Sequence, residues 1–154
     1  MLTEEERREI AGVLAHYPDA RAAAPETLKI IQRGRGWVPD GELREAALLL
    51  GMTPDELDAV ATFYNLVYRR PVGRHVILVC DSVCCWIAGY EAVRERLQLR
   101  LGIGLGETTD DGRFTLLPVA CIGACDRAPA MMIDEDLHGN LTPETVDEIL
   151  GRCA

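Results

Sequence analysis

Two groups of cysteines, each placed behind a run of strand-forming residues, limit this chain more than any other feature. His75-Val-Ile-Leu-Val79 leads into Cys80-Asp-Ser-Val-Cys84-Cys85. Arg113-Phe-Thr-Leu-Leu-Pro-Val119 leads into Cys121-Ile-Gly-Ala-Cys125. Runs rich in β-branched residues and bounded by turn formers read as strands. Loops that follow neighbouring strands emerge at one edge of a sheet, so the two groups meet in space across residues 86–120. The chain holds six cysteines; the sixth is Cys153, and none lies in the first 79 residues. A fold must therefore be found that carries a thiol-bearing edge in its second half only.

The setting decides what those thiols are for. The N-terminus, Met1-Leu-Thr-Glu-Glu-Glu6, is acidic and lacks the apolar core of a signal peptide. A cytoplasmic location is expected, and disulfides are rare in a reducing cytosol. A metal or redox site is then the stronger reading. Two pairs of thiolates suit a binuclear iron–sulfur cluster, one pair on each iron. Taking the first pair as Cys80 and Cys85 gives C-x4-C, and the second is C-x3-C. Zinc knuckles usually use shorter spacers, so the longer loops favour iron–sulfur. Gly123 lets the backbone pass close to a sulfide. Val83, Ile122 and Ala124 are expected to keep water from the sulfurs. Cys84 leaves a C-x3-C alternative open beside Cys80.

Composition excludes other classes. The net charge is −9, from 16 basic and 25 acidic residues, with no basic footprint for nucleic acid or anionic membrane. No apolar run approaches the roughly 20 residues that span a bilayer. Ala46 to Tyr64 has the outline of a helix-turn-helix, but Asp55, Glu56 and Asp58 would repel phosphate. Gly102, Gly104 and Gly106 follow a helix, where a dinucleotide fingerprint needs a strand. His16, His75 and His138 are scattered, with no ligand role.

Residues 1–70 read as helices. Thr3 and Glu6 form a capping box ahead of Ile10, Val13, Leu14 and Tyr17, with Pro18 as the stop. A second helix runs from about Pro25 to Arg33, with Leu28 and Ile31 inward and Gly34 and Gly36 at its end. Asp40 is the expected cap of a third helix carrying Leu43, Ala46, Ala47 and Leu50, closed by Gly51. Thr53-Pro-Asp-Glu56 opens a fourth, with Leu57, Val60, Ala61 and Tyr64. Four short-linked amphipathic helices suggest a small bundle. From Pro71 the pattern changes to βαβββα, one α+β layer with one sheet. There a helix is expected over Trp86 to Leu101, with Ile87, Tyr90, Val93 and Leu97 inward and Trp86 in the core. Strands at 113–119 and 130–133, a short fourth strand near the His138-Gly-Asn140 turn and a helix from Thr142 complete the pattern. Arg69, Arg70 and Arg74 read as a solvated basic edge or a docking patch.

Several stretches together carry a resemblance. They are Arg35-Gly-Trp-Val-Pro-Asp-Gly41, Val60-Ala-Thr-Phe-Tyr64, Arg70-Pro-Val-Gly-Arg-His-Val-Ile77 and Cys80 to Cys85. Asp111-Gly-Arg-Phe-Thr-Leu-Leu-Pro118, Cys121-Ile-Gly-Ala-Cys125-Asp126 and Met131-Met-Ile-Asp134 follow. They resemble the small peripheral subunit of bacterial NADH:quinone oxidoreductase, respiratory complex I, from about Thr3 to Leu150. The resemblance implies an α+β chain: an N-terminal helical bundle (1–70) followed by a thioredoxin-like 2Fe–2S ferredoxin domain (71–154). It implies one 2Fe–2S cluster held by Cys80, Cys85, Cys121 and Cys125. It also implies a partner flavoprotein subunit holding FMN and the NAD(H) site, beside further complex I subunits. The cluster would exchange electrons with that flavin, off the main path to quinone. The chain would be one subunit of an oxidoreductase, with no complete active site of its own. Its place would be peripheral, on the cytoplasmic face of the inner membrane, with no direct membrane insertion and no nucleic acid.

Cys84 and Cys153 are additions to that pattern. Neighbouring side chains point apart, so Cys84 and Cys85 are not expected on the same iron, and Cys153 is read as a thiol without a role. The loops at 80–85 and 121–125 are expected near the partner, with Trp37 and Tyr64 as apolar anchors from the helical half. An equivalent diaphorase subunit of an NAD-linked hydrogenase or formate dehydrogenase shares these features. A thiol oxidoreductase would want a C-x-x-C motif, which the chain lacks.

Overall fold

In the computed structural model, which describes residues 1–153, the chain forms two compact units, Met1–Pro71 and the residues from Val72 on.

The first unit is helical: α1 (Glu4–Leu14), a 3-10 turn (Ala20–Ala23), α2 (Ala24–Arg35), α3 (Asp40–Leu50) and α4 (Pro54–Phe63). Capping boxes open α1 at Thr3 and α4 at Thr53, each closing two free amides against a glutamate in the first turn. The apolar stripes meet in one core, where Ile10, Leu28, Ile31, Leu50 and Leu57 are fully buried. Three expectations need correction. First, α1 ends at Leu14, before Pro18, as His16 and Tyr17 tighten onto Val13 and Leu14. A residue ahead of proline is disfavoured in the α region, so the helix unwinds early and Tyr17 is left partly exposed. Second, Pro39 rather than Asp40 occupies the N-cap of α3. Asp40 instead accepts from Arg69 Nη2 at 2.7 Å. Third, Arg69 is no open basic edge: it also donates to Asp58 at 2.6 Å and to the Val38 carbonyl. The guanidinium thus ties α3, α4 and the segment leaving the bundle together.

The second unit contains β1 (His75–Cys80), α5 (Val83–Ile87), α6 (Tyr90–Leu101), β2 (Glu107–Thr108) and β3 (Phe114–Val119). A 3-10 turn (Cys125–Arg127), β4 (Met131–Ile133), β5 (Asp136–His138) and α7 (Pro143–Arg152) follow. The sheet order is β2-β3-β1-β4-β5. Strands β1 and β3 are parallel, from His75 opposite Phe114 to Cys80 opposite Val119; the other pairs are antiparallel. Central strand β1 is buried at every position after His75, which explains its unbroken apolar run. Helices α6 and α7 are joined by Arg96 Nε on Asp147 at 2.9 Å.

Two features of this unit depart from the sequence pattern. β2 has two residues, too short to show any alternation. The helix expected from Trp86 to Leu101 is broken at Gly89, whose φ of 109° suits only a residue without Cβ. The break resets the helical phase. Tyr90, Val93 and Leu97 face the core as expected, while Trp86 and Ile87 do not.

Gly73, ahead of β1, is held at close range by β3. A Cβ there would lie 2.9 Å from backbone atoms of Arg113 and Phe114, and its N–H donates to Thr115 Oγ1 at 2.6 Å. Gly73→Ala must push two strands apart, and overpacking of this kind costs about 1–3 kcal/mol. A lower thermal midpoint is expected, read by circular dichroism; an unchanged midpoint would show that the strands separate freely.

Candidate metal centre

Because β1 and β3 are parallel, both deliver their C-terminal ends to one edge of the sheet. Cys80 is the last residue of β1, and its N–H donates to the Ala130 carbonyl at 3.1 Å. Asp81 N–H then donates to the Val119 carbonyl at 3.0 Å, pinning this exit to the end of β3. One turn of helix, α5, follows. It directs Cys85 inward, where it is 2% exposed, and leaves Cys84 at the surface. On the other loop, Cys121 and Cys125 are exposed. Gly123 between them adopts φ +85°, and its N–H donates to Cys121 Sγ at 3.3 Å. That left-handed turn aims a backbone amide at the sulfur of Cys121.

The thiols act on one another electrostatically: Cys80 and Cys125 on Cys85, and Cys84 and Cys121 on Cys125. Among the described residues no three His, Cys, Asp or Glu side chains converge as they would around a single ion. Burial pushes the Cys85 thiol up to about 11, with the hydrogen bond to Cys80 adding to it. The hydrogen bond and charge of Cys84 raise Cys125, ahead of burial and of Cys121. Each thiolate therefore opposes the next, and a cation of high charge is what reverses that order. Four sulfurs in two local pairs, with an amide aimed at one of them, fit a 2Fe–2S group.

The surroundings are more open than the sequence suggests. Ala124 is buried, but Val83 is 63% exposed and does not cover the sulfurs. Trp86 is 59% and Ile87 75% exposed. Since α5 is a separate turn, Val83, Trp86 and Ile87 stand at i, i+3 and i+4 on its outer face, opposite Cys85. Gly89, as a helix breaker, is the sequence signal for this arrangement. Cys153 ends α7 with its thiol toward the Ile149 carbonyl at 3.5 Å. Burial and the nearby Asp134 and Asp136 raise its thiol.

Residues 10–154 match the thioredoxin-like 2Fe-2S ferredoxin family. The chain belongs to that family. Within this ferredoxin family, it is 53% identical over 150 residues to the NADH-quinone oxidoreductase E subunit of Pseudomonas aeruginosa. That alignment covers 97% of this chain and 90% of the relative. The corresponding Escherichia coli protein is 52% identical over 151 residues, covering 98% and 91%. Among solved structures, the NAD+-reducing NiFe-hydrogenase in its H2-reduced state aligns with a TM-score of 0.70 and 28% identity. It covers 84% of this chain, which spans 22% of that longer one. The α+β, thioredoxin-like architecture expected from the sequence is thus that of the family. No helix among the described residues is long and apolar enough to cross a membrane.

Proposed function

We propose that this chain is the electron-transfer subunit of an NADH:quinone oxidoreductase, holding one 2Fe–2S cluster through Cys80, Cys85, Cys121 and Cys125. The observation that carries the reading is the meeting of two cysteine pairs at the ends of parallel strands β1 and β3. Near-full-length likeness to the two NADH-quinone oxidoreductase relatives supports the assignment of complex. Bound there, the cluster supplies a one-electron relay. Cys80 and Cys85 would hold it from the buried side, Cys80 fixed by the Ala130 carbonyl and Cys85 by its own burial. Cys121 and Cys125 would hold it from the exposed side, where the Gly123 amide, which donates to Cys121 Sγ, would offset sulfur charge. Nothing in this arrangement oxidises NADH; that step needs the FMN and NAD(H) site of a partner flavoprotein. The outer sulfurs face that partner, with the apolar face of α5 beside them. Through such a complex the chain sits peripherally on the cytoplasmic face of the inner membrane.

A second reading, the diaphorase subunit of an NAD-linked hydrogenase, draws on the hydrogenase likeness. The higher identity and near-complete coverage of the quinone oxidoreductase relatives favour the first. A thiol oxidoreductase is disfavoured, because its attacking thiol needs a lowered pKa, whereas Cys85 and Cys125 are both raised.

The purified chain should contain iron and acid-labile sulfide at about two each. An axial-to-rhombic EPR signal should arise only on reduction. A colourless protein carrying one zinc would overturn the reading.

A further inference from the structure

The turn after β5 is built against the segment that follows Cys125. Strand β4 is antiparallel to β1, with Met131 opposite Val79, and β5 is antiparallel to β4, with His138 opposite Met131. The end of β5 therefore lies at the edge where β1 ends in Cys80. Beyond it, Asn140 N–H donates to the Arg127 carbonyl at 2.6 Å, and Leu141 N–H to the Pro129 carbonyl at 3.1 Å. Arg127 closes the 3-10 turn that Cys125 begins, and its own N–H donates to the Ala124 carbonyl at 3.0 Å. The carbonyl after Pro129, that of Ala130, accepts from Cys80 N–H at 3.1 Å. Residues 127–130 thus connect Cys125 to Cys80, and the 139–141 turn holds two of their carbonyls.

Gly139 permits that approach. A Cβ there would lie 2.5 Å from Arg127 Cβ and 2.8 Å from the Arg127 carbonyl oxygen. The Arg127 backbone fixes both atoms, so no change of rotamer relieves the contact. The chain two residues beyond Cys125 would have to shift. Gly139 does not have a positive φ; close approach alone requires a residue without Cβ here. We infer that Gly139 is a positioning residue for the cluster: by letting the 139–141 turn pack directly on Arg127, it fixes the place of Cys125 relative to Cys80. The inference rests on the reading of Cys80 and Cys125 as ligands. Groups behind metal ligands orient them, and loss of such support commonly weakens metal retention by about tenfold or more. Coupling of this kind is reciprocal, so a cluster that fixes Cys125 also steadies the turn.

The test compares the full chain as wild type, Gly139→Ala and Gly73→Ala, each loaded with its cluster under anaerobic conditions. Gly73 is the control, because its close approach to β3 precedes β1, at the end away from Cys80. Both substitutions should lower the thermal midpoint. At a temperature where all three chains are folded, only Gly139→Ala should shift the EPR g-values of the reduced cluster and release iron to a chelator about tenfold faster. In the wild type, hydrogen exchange at the Asn140 and Leu141 amides should slow on cluster loading, and this measurement decides the matter if Gly139→Ala does not fold. Unchanged g-values and iron release in Gly139→Ala, equal changes in Gly73→Ala, or the same exchange with and without the cluster would each overturn the inference alone. A wild-type chain that takes up no cluster would overturn the ligand reading, and this inference with it.

Discussion

Cys85→Ser should lose the cluster, while Cys84→Ser should keep it. The two cysteines are adjacent, and their environments are opposite: Cys85 is 2% exposed against Cys80, and Cys84 is at the surface. A ligand must be held in place by its neighbours, and Cys85 has that support from β1 and the Ala130 segment. Removing it leaves an iron with one protein thiolate. Because metal binding energy is also folding energy, the Cys85→Ser chain should melt at a lower temperature than the loaded wild type. Cys84→Ser changes only a thiol at the rim. Iron per chain after anaerobic gel filtration, with visible circular dichroism, separates the two. Iron retained in Cys85→Ser and lost in Cys84→Ser would mean that the C-x3-C spacing, Cys80 with Cys84, holds the cluster.

The second large effect is expected at Trp86. Val83, Trp86 and Ile87 form an apolar strip on α5 with exposures of 63%, 59% and 75%. It adjoins exposed Cys84, on the same sheet edge as exposed Cys121 and Cys125. A buried tryptophan anchor at an interface commonly contributes about 2 kcal/mol or more. Trp86→Ala should therefore raise the Kd for the co-expressed flavoprotein roughly thirtyfold. Cluster content should not change, since the indole is 59% exposed and Cys85 is buried. Phe63→Ala, in the helical unit, is the comparison: Phe63 is 80% exposed and lies edge-on to Tyr64, with ring centres 5.3 Å apart. Full affinity in Trp86→Ala together with weakened docking in Phe63→Ala would move the contact to the helical unit, where the sequence places the anchors Trp37 and Tyr64. Trp37 itself is half-buried.

Local chemistry makes much of this protein legible without coordinates. Capping boxes at Thr3 and Thr53, and the stripes through Leu28, Ile31 and Leu50, fall where the 3.6-residue period places them. The strand runs ending at Cys80 and Val119 need only β-branched patterning, and their shared edge follows from the adjacency of two strands. Each of these features depends on residues close in sequence. The departures share the opposite cause. Asp40 has the look of a cap, but Arg69, remote in the chain, takes its carboxylate. Trp86 has the look of core, but one left-handed residue, Gly89, turns its helical turn outward. β2 exists because β3 offers it a partner. Sequence by itself determined where the thiols and the turns beside them fall, because these are local properties. Tertiary structure alone decided which thiols are buried, which are exposed and which apolar face is left bare, because those depend on how distant segments pack.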